Sequence, residues 1–428
     1  MRRASQGTGA PLRVLHVLSQ QPGKTGSGVY LQALVRQGAQ DRLRQRVIVG
    51  VPAESPLPVI HPLEDREVGL VRFGTPSLPY PVAGMSDVMP YESTRFSQFT
   101  PQMLEQYLGS FCAILLEVAA EFNPHVIHSH HLWLVTALTR ILFPDIPVVT
   151  TCHGTEFRQL EFAPALAPFV LPGCSCVDRA MALHGNHMDR IAALYGIGED
   201  RLVLAGAGYR EDLFCPPGPA ACPVEDPDCL TIVYAGKVSR AKGLPWLIGA
   251  LDQVEVPAGR KVRLLVAGSG AGEESDVIRQ QAAEKGEMVT FLGPLPQEEL
   301  AVLLQASDVF VLPSFYEGLP LVILEAIACC CRVVVTDLPG MDDWLPQDLG
   351  AKGIVERVAL PRLHGPDTPE PADLPGFARE LAGALSRQLR RCTCEEPDWG
   401  RDVLCRIDSM NWQGIYRKVK AVYLDVLS

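Results

Sequence analysis

Short β-branched runs alternate with amphipathic stretches of helical period along this chain, and that rhythm leaves few folds open. In the first half LRVLHVL, QRVIVGV (45–51), HVIHSH, IPVVTTCHG and DRLVLAG read as strands. VYLQALVRQGAQ, TPQMLEQYLGSFCAILLEVAAEF (100–122) and LWLVTALTRILF read as helices. In the second half LTIVYAG, KVRLLVAG, MVTFLG, DVFVLP and RVVVTD are strands, separated by the helical LPWLIGALDQV, PQEELAVLLQA and LPLVILEAIACC. Strand–helix alternation predicts parallel sheets covered on both faces, so the chain is expected to be α/β, with two Rossmann-like, doubly wound domains. Its 428 residues suit two domains of about 200 each. Residues 1–10 read as a disordered tail, 11–214 as the first domain and the proline-rich 215–229 as a linker. Residues 230–408 form the second domain and 409–428 a terminal helix. Segment 361–408 fits neither pattern cleanly. Ligands of such sheets bind outside the C-terminal ends of the strands, so a cleft at those ends is the expected site.

Charge and cysteine usage exclude several classes. The net charge of −11 argues against a nucleic-acid partner. Residues 1–210 carry 17 Lys+Arg against 17 Asp+Glu, so the acidity lies wholly in the second half. A neutral first half without a basic amphipathic helix predicts no strong docking to anionic lipid. No stretch approaches the roughly 18 consecutive apolar residues of a membrane span, and the first residues have no signal-peptide pattern. The thirteen cysteines are scattered, apart from Cys329–Cys330–Cys331 and the C-x-C pairs Cys174/Cys176 and Cys392/Cys394. Without zinc spacing or an export signal they read as reduced thiols in a cytoplasmic protein.

The segment SQQPGKTGSG (19–28) contains Gly23-Lys24-Thr25, but a Walker A loop needs a further glycine where Leu18 stands. What remains is a strand, then Gly26, Ser27 and Gly28 opening a helix. Either it is a plain β–α turn, or its N–H groups meet an anion.

The strongest signal is SFYEGLPLVILEA (314–326). Glu317 stands at a strand-to-helix turn, where a carboxylate binds sugar hydroxyls. Glu325 follows eight residues later among apolar neighbours, where it can hold a ribose diol. Gly318 and the N–H groups of Leu319, Leu321 and Val322 stand at the helix start, ready for phosphate. The plainer reading is a dipole-favouring Glu317 and a solvent-facing Glu325. This E-x₇-E setting resembles the GT-B retaining glycosyltransferases of family 4. The resemblance extends to YAGKVSRAKGLPWLIGAL (234–251), TCHGTEF (151–157), AGYREDLF (207–214) and the terminal SMNWQGIYRKVKAVY. Departures are Lys237 where the family has arginine, and Ala207 and Arg210 for the usual Asn and Asp.

The resemblance implies a GT-B fold with a terminal helix crossing back to the first domain. It implies transfer of a hexosyl group from a nucleoside-diphosphate sugar, a UDP- or GDP-sugar, to an acceptor hydroxyl with retention. Lys237 and Lys242 would hold the donor diphosphate, with Gly236 beside them and Gly26–Gly28 near the phosphate and sugar, and His153 would face the donor sugar. Two lysines make a metal or other cofactor unnecessary, and no D-x-D stands at a strand-end loop. The first domain would take the acceptor, whether saccharide, small molecule or lipid-linked, with His130, His131, Glu156 and Tyr91 on that side. His128, His130 and His131 admit metal binding as the alternative to cleft lining. The aromatic loop 74–100, with Tyr80, Met85, Met89, Tyr91 and Phe96, is expected to line or cover the acceptor side, or else to pack down as a fixed flap. A non-hydrolysing nucleotide-sugar epimerase and a non-catalytic nucleotide-sugar-binding protein stay open as other readings.

Overall fold

The computed structural model describes residues 11–23, 25–86, 89–218, 226, 228–365, 367–394 and 399–428. The tail expected at 1–10, Lys24 and much of the 215–229 linker fall outside them. Contacts divide the chain into two units, Met1–Ala207 with Trp412–Ser428, and Gly208–Asn411.

The first unit carries a seven-stranded sheet: β1 (Arg13–Leu18), β2 (Arg44–Pro52), β3 (Val68–Phe73), β4 (Val126–His130), β5 (Val148–Thr151), β6 (Arg179–Ala182) and β7 (Leu202–Leu204). All pairings are parallel, in the order β3-β2-β1-β4-β5-β6-β7. The order reverses between β1 and β4, which makes that junction the topological switch point. Three helices matter for the site: α1 (Gly26–Gln40), α2 (Pro101–Phe122) and α3 (Thr155–Phe162). Thr100 caps α2, with Pro101 tolerated in its first turn. Tyr107, Phe111, Leu115 and Phe122 recur along one face of α2 and are buried in the core. Among the described helices α2 is long and apolar enough to cross a bilayer, which a search for unbroken apolar runs misses because glutamates interrupt it.

The second unit repeats the design with six parallel strands: β8 (Cys229–Ala235), β9 (Lys261–Ala267), β10 (Val289–Gly293), β11 (Val309–Leu312), β12 (Arg332–Asp337) and β13 (Val355–Ala359). Their order is β10-β9-β8-β11-β12-β13, so the switch point lies between β8 and β11. Its helices include α4 (Glu273–Ala283), α5 (Leu321–Ala328) and α6 (Leu374–Cys394).

The last helix, α7 (Trp412–Asp425), belongs to the first unit. Trp412, Ile415, Val419 and Tyr423 pack with Tyr30 and Leu34 of α1. Tyr416 and Lys420 both reach Asp41. The boundaries differ from those expected at 214 and 408. Tyr209 and Phe214 bury in the second unit's core, and Tyr209 bridges Asn411, so burial draws residues 208–214 and 409–411 into that unit. Arg210, unusual for the resemblance, is held there by Asp212 and Glu298. The twelve described cysteines are free thiols.

Candidate functional site

In the second unit the site grows from the ends of β8 and β11. Beyond β8, Tyr234 donates its hydroxyl to the Lys237 carbonyl at 2.7 Å, which fixes the backbone while the side chain stays exposed. The N–H of Gly236 is used on the Ala267 carbonyl, so Gly236 offers no free donor. Lys242 ends a short 3-10 turn, and Gly243 follows at φ 72°. A Cβ on Gly243 would sit 1.9 Å from the Pro313 carbonyl oxygen. Only glycine permits this approach, which presses Lys242 against the end of β11. Its Nζ lies 2.7 Å from Glu317 Oε2 and donates to the Tyr316 carbonyl at 3.0 Å. Ser314 donates to the other Glu317 oxygen at 2.8 Å. Two residues read as separate ligands, a phosphate cation and a sugar acceptor, are therefore one ion pair.

Helix α5 begins after Pro320. Leu321 N–H is taken by the Leu319 carbonyl at 3.0 Å, so of the three donors expected there only those of Leu319 and Val322 are left. Gly318 is exposed with open space around it. Glu325 is buried at 7% exposure, which excludes the solvent-facing reading. Burial pushes its carboxyl up to about 7, and its side chain has no hydrogen-bond partner among the described residues. With no protein group among the described residues on it, the carboxylate is free to meet a ligand hydroxyl.

A cavity of about 620 Å³ lies in this unit, lined by Lys237, Arg240, Lys242, Trp246 and Tyr316 and by residues of the 364–374 segment. Gly318, Leu319, Leu321, Val322 and Glu325 are not among its lining. Arg240 and the 364–374 wall carried no motif, and the sequence reading missed both.

In the first unit, Thr25 caps α1 by accepting the Gly28 N–H at 3.1 Å. Gly28 is glycine for packing, because a Cβ would stand 2.2 Å from the Pro22 carbonyl oxygen. Its N–H is thus not free for phosphate, and Ser27 is buried with its hydroxyl bonded to Gln20 and Thr25. Gly26, unlike Gly28, has open space around it.

The histidines gather at the β1/β4 switch point. The alternation expected along β4 holds, with His128 and His130 stacked at 4.7 Å. Register adds His16, which pairs with His128 across the sheet. His130 Nδ1 meets His153 Nε2 at 3.2 Å. His131 leaves the stack at φ 72° and turns to Glu156, 3.3 Å away. The triad with atoms close enough for a metal is therefore His16, His128 and His130, not the one containing His131. His128 bonds through both ring nitrogens, to Tyr423 at 2.7 Å and Thr151 at 2.9 Å, so its one lone pair is already engaged by a hydroxyl. Burial lowers His153 to about 3, so at pH 7 it is a neutral hydrogen-bonding group, not a cation.

Three acceptor-side expectations change. His130 and His131 are each only 3% exposed, and Glu156 is fully buried. Glu156 Oε1 instead accepts the N–H groups of Leu132 and His153. Burial pushes its carboxyl up, but the neighbouring His131, with His153 and its own backbone N–H, prevails and holds it at about 2. Glu156 thus positions the two histidine loops. Tyr91 is half-buried and its hydroxyl lies 3.5 Å from Gln20 Oε1. Gln20, which no motif singled out, also reaches Ser27 and His131 Nε2, at 3.3 and 2.8 Å. The loop 74–100 mostly packs down: Tyr80, Met85 and Phe96 are buried in the core, since their apolar area is better covered by α2 and Trp133 than left in water. Met89 and Tyr91 are the partly exposed remainder of the five apolar residues.

Residues 25–213 match the family described as Glycosyltransferase Family 4, and residues 229–356 match Glycosyl transferases group 1. Among curated proteins, the D-inositol 3-phosphate glycosyltransferase of Pseudarthrobacter chlorophenolicus is 34% identical over 240 residues, 51% of this chain and 57% of that one. D-inositol 3-phosphate glycosyltransferase 1 of Catenulispora acidiphila is 28% identical over 259 residues, 56% of this chain and 61% of that one. The chain spans about three fifths of the length of the curated relatives it matches. Sucrose-phosphate synthase of Thermosynechococcus elongatus superposes with a TM-score of 0.66 at 18% identity, covering 97% of this chain and 99% of that one. Anabaena Alr3699/HepE in complex with UDP and glucose gives 0.64 at 16%, covering 97% and 100%. With two parallel-sheet units of GT-B type and both halves matched, the chain belongs to the group 1, family 4 glycosyltransferases.

Proposed function

We propose that this protein is a metal-independent, retaining glycosyltransferase that moves a hexosyl group from a nucleoside-diphosphate sugar to an acceptor hydroxyl. The observation that carries the reading is the pair of lysines, Lys237 and Lys242, on one cavity of the second unit, with Lys242 tied to Glu317. Breaking the bond from C1 to the diphosphate leaves the electron pair, and growing negative charge, on the phosphate oxygen. Fixed cations stabilise that charge more than they stabilise the bound donor. The acceptor oxygen then bonds to C1, and its proton passes to the departing diphosphate. Glu325, a largely buried carboxyl without a protein hydrogen-bond partner among the described residues, is assigned the ribose diol. Neutral His153 is assigned a sugar hydroxyl, with Glu156 fixing its backbone. The relative bound to UDP and glucose supports a nucleoside-diphosphate sugar as donor, and the inositol-phosphate relatives support transfer to a hydroxyl.

The test is release of nucleoside diphosphate from a panel of UDP- and GDP-sugars, with and without acceptors, in the presence of EDTA. Acceptor-dependent release that survives the chelator, with the anomeric configuration kept in the product, is expected. Release that needs magnesium or manganese, or product of inverted configuration, contradicts the proposal.

A further inference from the structure

The lining of the second unit's cavity includes, besides the two lysines, His364, Asp367, Thr368, Pro369, Pro371 and Leu374. Their segment is pinned at several points. Leu363 bridges Pro369, and His364 N–H reaches the Thr368 carbonyl at 3.0 Å. Arg362 forks onto Asp373 through Nε and Nη2, at 2.9 and 2.8 Å. His364, Asp367 and Thr368 line the same cavity as Arg240 and Tyr316.

Three observations define what would fit. Arg240 stands 5.2 Å over the Trp246 ring and, among the described residues, has no carboxylate within salt-bridge distance of its guanidinium. Lys242, by contrast, already shares Glu317. Tyr316 is 58% exposed, which leaves an aromatic surface for a sugar ring. Glu274 accepts the Arg240 N–H through Oε1, which leaves its second oxygen for hydroxyls, and Asp367 also lines the cavity.

We propose that the Arg240–Tyr316 part of this cavity is a subsite for a saccharide carrying an anionic substituent, a carboxylate or a phosphate. The anion pairs with the Arg240 guanidinium fork, the ring lies on Tyr316, and ring hydroxyls donate to Glu274 and Asp367. The inference rests on the proposed donor reading only in leaving Lys237 and Lys242 to the diphosphate.

Calorimetric titration of the full chain with glucuronate, glucose 6-phosphate, glucose, UDP and GDP tests it, using wild type, Arg240→Gln, Arg240→Lys and Tyr316→Ala. One anionic sugar should bind at least about tenfold tighter than glucose, and Arg240→Gln should remove that advantage. Arg240→Lys should keep part of it, and Tyr316→Ala should weaken the anionic sugar too. Which anion wins separates carboxylate from phosphate. Nucleoside-diphosphate affinity should change less than about threefold in Arg240→Gln, as expected for a charge outside the diphosphate contacts. The proposal falls if neither anionic sugar outbinds glucose, or if Arg240→Gln weakens UDP or GDP as much as the sugar. If wild type binds neither UDP nor GDP, the donor reading fails, while the two anionic-sugar titrations still decide this one.

Discussion

Glu325→Gln separates stability from binding at a single buried carboxyl. Burial lifts this group from 4.5 to about 7 in the folded chain. Below pH 4.5 it is a neutral acid in both folded and unfolded states, and burial carries no ionisation penalty. Between 4.5 and about 7 the unfolded chain has released its proton and the folded chain has not, so stability falls by about 1.4 kcal/mol per pH unit. Above that window the full penalty stands, roughly 3 kcal/mol. Glutamine has the shape of the neutral acid and never ionises. The variant should therefore lie within about 1 kcal/mol of wild type at pH 5 and be more stable by roughly 3 kcal/mol at pH 8. Thermal unfolding at the two pH values reads this, at about 2–4 °C per kcal/mol for a unit of this size. Binding should move the opposite way. A carboxylate that accepts a ribose diol makes charge-assisted hydrogen bonds, and its loss should weaken UDP or GDP about ten- to a hundredfold at pH 8. A stability difference that is the same at pH 5 and pH 8 would refute the desolvated carboxylate. A stabilised variant with unchanged nucleotide affinity would refute the ribose role.

Lys242→Ala removes the partner of Glu317, and with Lys237→Ala it should lower donor turnover by about a hundredfold or more; wild-type rates in both variants would exclude lysine stabilisation of the leaving group. Glu156→Ala strips the acceptor from the Leu132 and His153 N–H groups and from His131, and in urea unfolding at pH 7 it should cost roughly 3–5 kcal/mol. Because its carboxyl is held at about 2, that contribution is present above pH 4.5 and fades as pH falls through about 2; a variant as stable as wild type at pH 7 would contradict the network. Phe96 packs on Trp133 and Tyr107, so Phe96→Ala should destabilise by roughly 3–5 kcal/mol. A fully stable Phe96 variant with altered acceptor choice would return this side chain to the acceptor surface.

The sequence by itself determined the fold class, the two-unit plan and the residues of the E-x₇-E segment. Those rest on local signals: strand–helix alternation, glycine and proline punctuation, and spacing along a single helix. Where the local signal is weak the reading fails. The strands Val68–Phe73, Arg179–Ala182 and Val355–Ala359 are short or carry charges, so no clear apolar run marks them, and only pairing with a neighbouring strand makes them strands. Segment 361–374 has little periodic pattern, because Arg362–Asp373 and backbone bonds hold it where no apolar face does. Tertiary structure alone decided the pairings. Lys242 meets Glu317 because the turn after β8 presses on the end of β11, 75 residues further along the chain. His16 joins His128 because β1 and β4 are neighbours in register, and Gln20 reaches His131 across the same junction. Glu156 looked like an acceptor contact in the H-G-T-E segment, but burial and two backbone donors make it a brace. Side chains that share a motif can be named from spacing, whereas which of them touch depends on strand order, since hydrogen bonds and ion pairs act over a few ångströms whatever the separation along the chain.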